Sequence, residues 1–346
     1  MTLSDRHTGT EDLDRHPVAT TQAGQSGIPV IDIAPLIREP ESAEAAVTVS
    51  AISEACTTWG FFQVINHGIE QRQISEVWQQ AHALFNLPLE RKLAVHRSRE
   101  NPWGFNNNEL TKNQRDRKEI FDFTTEGQDP IYGQQNRWPH DLPDFRRVMA
   151  DYLAACAELS LQLLRGFCLG LGVPQDFLRS EFEGNHTGFV RLNYYPVHDP
   201  MDGLGSDHLP TADLGIHHHA DAGALTVLLQ DDVEGLQVYR EGYWYDVPVI
   251  PDALVINTGD MMQVWSNDTY RAAIHRVRAM QDRPRYSIPF FLNPAADCVV
   301  RPLPTMVEAP DTGHYRPIPW GEFRGKRSDG DYADYGDEVQ ISQYRV

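Results

Sequence analysis

The period of the apolar positions changes along the 346-residue chain. From Pro143 to Gly172 (PDFRRVMADYLAACAELSLQLLRGFCLGLG) apolar residues recur at i, i+3, i+4 and i+7, and this predicts a long helical region over 143–185. Upstream, IPVIDIAPL (28–36) alternates β-branched residues up to a proline and predicts a first strand. ESAEAAVTVSAISEACTTWG (41–60) has helical spacing and stops at Gly60; FFQVINHG then reads as a buried strand and turn. Residues 70–95 are helical again, with Pro88 opening a new helix, whereas 98–140 follows no regular period. Downstream the texture becomes short β-rich segments between turn residues: GFVRLNYYP, LGIHHHAD, LTVLLQD, GLQVYR, YWYDVPV, ALVINTGDMMQVWS, AAIHRVRA and RYSIPFFLNP. Short strands without intervening helices indicate an antiparallel sandwich or barrel. With no internal repeat and no linker within 28–300, the expected organisation is one domain, helices first and jelly roll second.

Composition narrows the partners. Thirty basic against 49 acidic residues give −19 at pH 7, a field that repels phosphate backbones and anionic membranes, so neither nucleic acid nor a membrane is expected. No apolar run approaches the ~20 residues of a membrane span, and residues 1–27 lack the apolar centre of a signal peptide. These readings predict a cytoplasmic protein, a monomer or weak homo-oligomer, with a disordered tail over 1–27. Cys56, Cys156, Cys168 and Cys298 form no CxxC pair and are expected as buried free thiols.

The segment GIHHHADAG (215–223) raises the question of a metal. On a strand, positions 217, 219 and 221 share one face and His218 takes the other. Residues two apart lie roughly 6.6 Å apart at Cα, which two side chains can close onto one ion, whereas His217 and Asp221 are about 13 Å apart. His219 and Asp221 are therefore the expected pair, and His217 points to the metal side but beyond reach. A third ligand is offered by His275, and ten residues later Arg285 and Ser287 share a strand face, a guanidinium and a hydroxyl suited to a carboxylate. Two histidines and one carboxylate leave three coordination positions open, as in non-haem Fe(II) oxygenases, unlike a closed structural zinc site.

In these motifs the chain resembles the 2-oxoglutarate-dependent Fe(II) dioxygenases of the isopenicillin N synthase type. IPVIDIAPL, ACTTWGFFQVINHGI, FNLPLERK and RDRKEIFDF are similar to that family's N-terminal region. RLNYYP, HHHADAGALTVLLQDDVEGLQV, NTGDMMQVWSNDTYRAAIHRV and RYSIPFFLNP are similar to its catalytic region. The resemblance implies a mixed α/β, mainly β fold, a distorted double-stranded β-helix (jelly roll) with flanking N-terminal helices. It divides the chain into an N-terminal region over 28–142, the helix, a core over 186–300 and a C-terminal segment, 301–346, folded back on that core. It implies Fe(II) on His219, Asp221 and His275, and 2-oxoglutarate on Arg285, Ser287, Tyr195 and Asn193. With O2, the expected reaction hydroxylates, desaturates or cyclises an unactivated C–H position of a small specialised metabolite, releasing succinate and CO2. NYYPVHDP lacks the second proline and the cysteine usual in plant members, which leaves loop 198–213 unplaced.

Other residues carry weaker expectations. Phe291, Phe121, Phe105 and Trp103 are candidates for the substrate pocket, and the aromatic C-terminal segment is expected near the barrel mouth. Lys112, Arg115, Arg117 and Lys118 read as a solvated charged face, His218 as a packed or hydrogen-bonded residue, and His67 as structural in its turn. Two alternatives stay open: an oxidase of the same fold that does not use 2-oxoglutarate, and a non-catalytic metal- or ligand-binding module.

Overall fold

The computed structural model describes residues 13–19, 27–111, 114–199, 201, 214–308, 313–329 and 339–346; Lys112 and nearly all of loop 198–213 lie outside them. In chain order the first elements are β1 (Val30–Asp32), α1 (Ala34–Arg38), α2 (Ala43–Thr58), β2 (Phe61–Ile65), α3 (Gln71–Phe85) and α4 (Leu89–Leu93). Then come β3 (Gly104–Asn106), β4 (Leu110–Thr111), β5 (Gln114–Arg115), β6 (Glu119–Thr124) and α5 (Phe145–Gly170). The core strands are β7 (Phe189–Tyr195), β8 (Leu214–His219), β9 (Leu225–Gln230), β10 (Leu236–Arg240), β11 (Tyr243–Asp246) and β12 (Leu254–Thr258). After α6 (Asp260–Trp265), β13 (His275–Arg278) and β14 (Arg285–Leu292), the chain ends with β15 (Val299–Val300), β16 (Ile318–Pro319) and α7 (Trp320–Asp329).

Two sheets form the jelly roll, one ordered β1-β2-β12-β9-β14-β7-β6-β3 and the other β11-β10-β13-β8. All pairings are antiparallel except β1 on β2. Alternation along the large sheet sorts its side chains into two interiors. Phe62, Val64, Val190, Leu192, Leu225, Val227, Ile256, Ile288 and Phe290 pack in one core with α2, α3 and α5. The opposite face, carrying Phe61, Tyr195, Leu228 and Val255, packs with Leu236, Val238 and Val277 of the small sheet. Because both faces are buried, these strands read as near-continuous apolar runs.

The helices form for local reasons. Ser42 caps α2 by accepting the Ala45 N–H at 3.0 Å, and the chain turns into β2 through Gly60 at φ +62°. A Cβ at Gly60 would lie 2.2 Å from the Arg271 carbonyl oxygen, so only glycine fits that turn. His67 accepts the Ile69 N–H in the turn after β2, as expected.

Several expectations are corrected. Residues 13–19, placed by the sequence in a disordered tail, pack on the small sheet: the Trp244 indole donates to the Leu13 carbonyl at 2.8 Å, and Asp14 pairs with His218 at 2.9 Å. ALVINTGDMMQVWS is a strand only to Thr258 and then turns into α6, because Gly259 breaks the strand and the apolar residues after it follow a helical turn. By length and composition α5 is apolar enough to cross a membrane, contrary to the reading of apolar runs. Its buried residues instead face α2, α3 and β14.

Two pocket candidates also move. Phe105 and Phe121 are cross-strand partners on the helix-facing side, both fully buried, with Phe121 edge-on to Phe145 at 5.3 Å and 6.4 Å from Trp138. Their strands were unassigned in the sequence, so their facing could not be read there. Phe121→Ala is therefore expected to lower the unfolding free energy by about 3–5 kcal/mol, read by urea denaturation.

Candidate active site

His219 ends β8 and His275 begins β13, directly opposite each other in antiparallel register. Each imidazole is oriented by a backbone carbonyl behind it: Nδ1 of His219 lies 2.8 Å from the His217 oxygen, and Nδ1 of His275 lies 3.0 Å from the Ala273 oxygen. With Nδ1 protonated for these bonds, both Nε2 atoms face forward as acceptors. They lie 3.7 and 3.8 Å from Oδ1 of Asp221, and the three ligand atoms are within 4.8 Å of one another, close enough for one metal ion. Burial and the neighbouring His275 push the His219 pKa down to about 3, which keeps the imidazole in its neutral, ligating form. Burial raises the Asp221 carboxyl, but His275, His219 and its hydrogen bonds outweigh that and hold it below the ordinary value.

Asp221 sits in the turn after β8 rather than on the strand, yet its position is fixed. Oδ2 accepts from Thr226 at 2.5 Å and Asn257 at 2.8 Å, leaving Oδ1 for a metal. The turn is pressed against the start of α6: Asp260 N–H donates to the Asp221 carbonyl at 2.8 Å and Met261 N–H to that of Gly223 at 3.0 Å. A Cβ at Gly259 would lie 2.4 Å from the Gly223 oxygen and 2.7 Å from that of Asp221. Gly259 of NTGD thus allows the two backbones to touch, while Gly223 of HADAG makes room for the Asn293 side chain and the Leu292 carbonyl. Thr226 and Asn257 were not anticipated, although both lie inside quoted motifs, Thr226 in HHHADAGALTVLLQDDVEGLQV and Asn257 at the start of NTGDMMQVWSNDTYRAAIHRV.

His217 departs from the expected alternation. Ile216, not His217, is paired with Val277, so β8 carries an extra residue against β13 between this pair and the His219–His275 pair. Ile216 lines the cavity, while His217 turns to Asp116, which takes its N–H and ring Nδ1 at 3.4 and 3.2 Å. His218 faces outward to Asp14, as expected for a residue outside the site.

A cavity of about 160 Å³ opens beside the triad, lined among others by Asn193, Tyr195, Arg285, Ser287, Phe189 and Phe291. Register puts Arg285 opposite Tyr195 and Ser287 opposite Asn193, so four residues from two motifs share one wall. Arg285 is 1% exposed; Nε donates to Val233 at 3.2 Å and Nη2 to Gln230 at 3.3 Å. Nη1 of Arg285 and Oδ1 of Asn193 are buried without a partner among the described residues, a state that a bound polar ligand would relieve. Burial raises the Tyr195 phenol above its ordinary pKa despite Arg285 and Lys118, so it stays a neutral hydroxyl. This wall fits a carboxylate, as the triad fits a metal.

Of the expected solvated basic face, Arg115 and Lys118 are buried and Arg117 is half-buried, while Lys112 lies outside the described residues. Lys118 pairs with Glu109 at 2.5 Å and Asp116 at 3.0 Å, Arg191 with Glu109 and Asp122, Arg97 with the same two carboxylates, and Arg115 with Asp199. Burial opposes the Lys118 ammonium, but Asp116 and Glu109 outweigh it and raise its pKa. A run of basic residues looked solvated because the carboxylates that pair with it were not recognised as neighbours. Phe291 lines the cavity as expected, stacked on Phe189 at 4.7 Å; Trp103 lies behind Phe189 at 5.8 Å and does not line it. The C-terminal segment does fold back: Trp320 and Phe323 are buried, and Arg324 and Arg327 of α7 reach the cavity.

Comparison with known proteins places this geometry. Two family profiles match, "2OG-Fe(II) oxygenase superfamily" over residues 186–294 and "non-haem dioxygenase in morphine synthesis N-terminal" over 28–144. The chain is 32% identical to jasmonate-induced oxygenase 2 of Arabidopsis thaliana, over 92% of this chain and 81% of that one. Among solved structures it is similar to JOX2 in complex with 2OG, Fe, and JA (TM-score 0.77, 29% identity, 92% of this chain and 89% of that one). It is also similar to full-length Neurospora crassa T7H in complex with alpha-KG (TM-score 0.76, 28% identity, 87% and 96%).

Lys118→Met would leave Glu109 and Asp116 facing each other without their shared ammonium. The expected loss is about 3–5 kcal/mol of unfolding free energy, measured by denaturant titration, because a buried pair has lost one member. Raising the salt to 1 M should leave most of that difference in place, since buried charges are poorly screened.

Proposed function

The chain belongs to the 2-oxoglutarate- and Fe(II)-dependent oxygenases of the isopenicillin N synthase-like superfamily, and on that premise we propose the residues that do its chemistry. His219, Asp221 and His275 are the iron ligands; Arg285, Ser287, Tyr195 and Asn193 hold 2-oxoglutarate. The observation that carries this reading is the unpartnered, buried Nη1 of Arg285 on the same cavity wall as an open three-ligand set.

Iron, 2-oxoglutarate and O2 supply the oxidising power, with succinate and CO2 as the co-substrate's products. The protein's part is to bind, orient and exclude water. Carbonyls of His217 and Ala273 fix the imidazoles, Thr226 and Asn257 fix the carboxylate, and three metal positions are left to other molecules. Arg285 neutralises the far carboxylate of 2-oxoglutarate while the Ser287 and Tyr195 hydroxyls complete its hydrogen bonds. Phe291, Phe189 and Leu228 supply an apolar wall against which a small organic substrate presents a C–H position.

Anaerobic Fe(II) titration checks the ligands. His219→Ala and His275→Ala should each lower iron affinity more than 100-fold, beyond the 10–100-fold typical of losing an outer partner, and His218→Ala should keep iron. Retention of iron by the first two variants would sink the assignment. Arg285→Gln should raise the apparent constant for 2-oxoglutarate, read from succinate release, by two to three orders of magnitude, as breaking a buried pair costs about 3–5 kcal/mol. Lysine at 285 should recover part of it. An unchanged constant in Arg285→Gln would show that another group holds the co-substrate; no succinate from the native protein would favour the oxidase alternative.

A further inference from the structure

Five cationic side chains line the cavity: Lys118, Arg191, Arg285, Arg324 and Arg327. Four are accounted for. Lys118 and Arg191 are bound into buried carboxylates, and Arg327 donates to the carbonyls of Val339 at 2.8 Å and Ala220 at 3.0 Å. Arg285 keeps one nitrogen for the co-substrate. Arg324 is different. Half-buried on α7, it has no hydrogen bond and no ion pair with any described residue, and its guanidinium stands 5.2 Å from the centre of the Phe189 ring. Asp129 lies within its electrostatic reach but beyond ion-pair distance, its Oδ1 turned to the N–H groups of Ile131 and Tyr132 at 2.9 and 2.7 Å.

Resting on the oxygenase reading, we propose that Arg324 is the anchor for the primary substrate and that this substrate is an apolar or aromatic molecule ending in a carboxylate. The wall orders the contacts in space. Thr226, which holds Asp221, is paired across the sheet with Phe291, and Phe291 in turn with Phe189, over which Arg324 stands. Two strand spacings plus the reach to the guanidinium set the anion on the order of 10 Å from the metal-binding carboxylate. The stacked pair Phe189–Phe291 covers that interval with aromatic carbon, a surface for an apolar body rather than for a second charge. A single planar guanidinium with no second unpaired cation beside it among the described residues matches a monoanion, and its fork matches carboxylate oxygens in particular. Anchoring one end on Arg324 would hold the other end, not the middle, of such a molecule toward the triad, which makes Arg324 a determinant of which carbon is oxidised.

The test uses phenylacetate and 5-phenylpentanoate, each with its primary carboxamide, titrated calorimetrically into the anaerobic full-length protein with Fe(II) and saturating 2-oxoglutarate. That co-substrate occupies Arg285, so a carboxylate must find another cation. The expected result is that 5-phenylpentanoate binds at least tenfold more tightly than its carboxamide and more tightly than phenylacetate, whose length does not span the wall. Arg324→Gln should abolish the acid-over-amide preference, and Arg324→Lys should restore part of it. Equal binding of acid and amide, binding of neither, or a preference that survives in Arg324→Gln overturns the proposal. The visible absorption of the Fe(II) and 2-oxoglutarate complex is recorded in the same samples. Its presence with no acid preference defeats the anchor alone, whereas its absence in the native protein defeats the oxygenase reading, and the calorimetric comparison still decides on Arg324.

Discussion

The antiparallel pairing of β8 with β13 sets His219 across from His275, and the rest of the site is arranged around that one register. A slip by one residue would exchange every side chain on β8 between interior and exterior and present His218, now tied to Asp14, to the metal position. The pairing is held from both sides. Outside, Asp14 joins His218 and Arg276; inside, the extra residue at His217 is locked by two contacts with Asp116. An irregularity that would weaken a strand elsewhere therefore serves here to pin the register, as bulges beside active sites do.

The buried charges beside the cavity follow from a second constraint. Three cations, Arg97, Lys118 and Arg191, interlock with three carboxylates, Glu109, Asp116 and Asp122, so the cavity wall is polar without a net field of its own. A neutral wall matters in a chain of net charge −19, whose overall field would otherwise oppose an anionic co-substrate. The cations of that network are already satisfied, whereas Arg285 keeps one nitrogen without a partner among the described residues, which suits it to the role proposed for it. Through Asp116 the same network reaches the backbone of β8, so charge balance at the wall and strand register at the triad are mechanically joined.

What was legible in the sequence follows the periodicities. Period two placed Arg285 with Ser287 on a shared face, the family resemblance supplied Asn193 and Tyr195 opposite them, and a helical period over more than five turns located α5, because those elements keep one environment along their length. Applied to β7, the same rule would have added Phe189 and Arg191 to the wall beside Asn193 and Tyr195. It misplaced His217, where the alternation is broken, and it could not sort Phe121 and Phe105, which lie in the stretch 98–140 that follows no regular period. It missed α6 because a strand and a helix share one apolar run. The N-terminal clip of residues 13–19 escaped notice since its hold comes from Trp244, His218 and Arg276, more than 200 residues away in sequence.

The division between legible and illegible residues has a physical basis. The residues proposed for metal and co-substrate lie on or next to strands whose positions are over-determined by two cores, one on each face of the large sheet, so a short motif suffices to specify each side chain. The part of the cavity left for a substrate is lined by α7, which is placed by only the short β15–β16 pairing before it, by Trp320 reaching Thr187 at 2.8 Å and by Arg327 reaching Ala220 and Val339. Arg327 thereby fastens the helix to the turn that carries Asp221, since Ala220 is the residue before it. The rigid chemistry and the variable mouth are thus coupled at one carbonyl, and a change in α7 can alter what is bound without disturbing the triad only so long as that contact is kept.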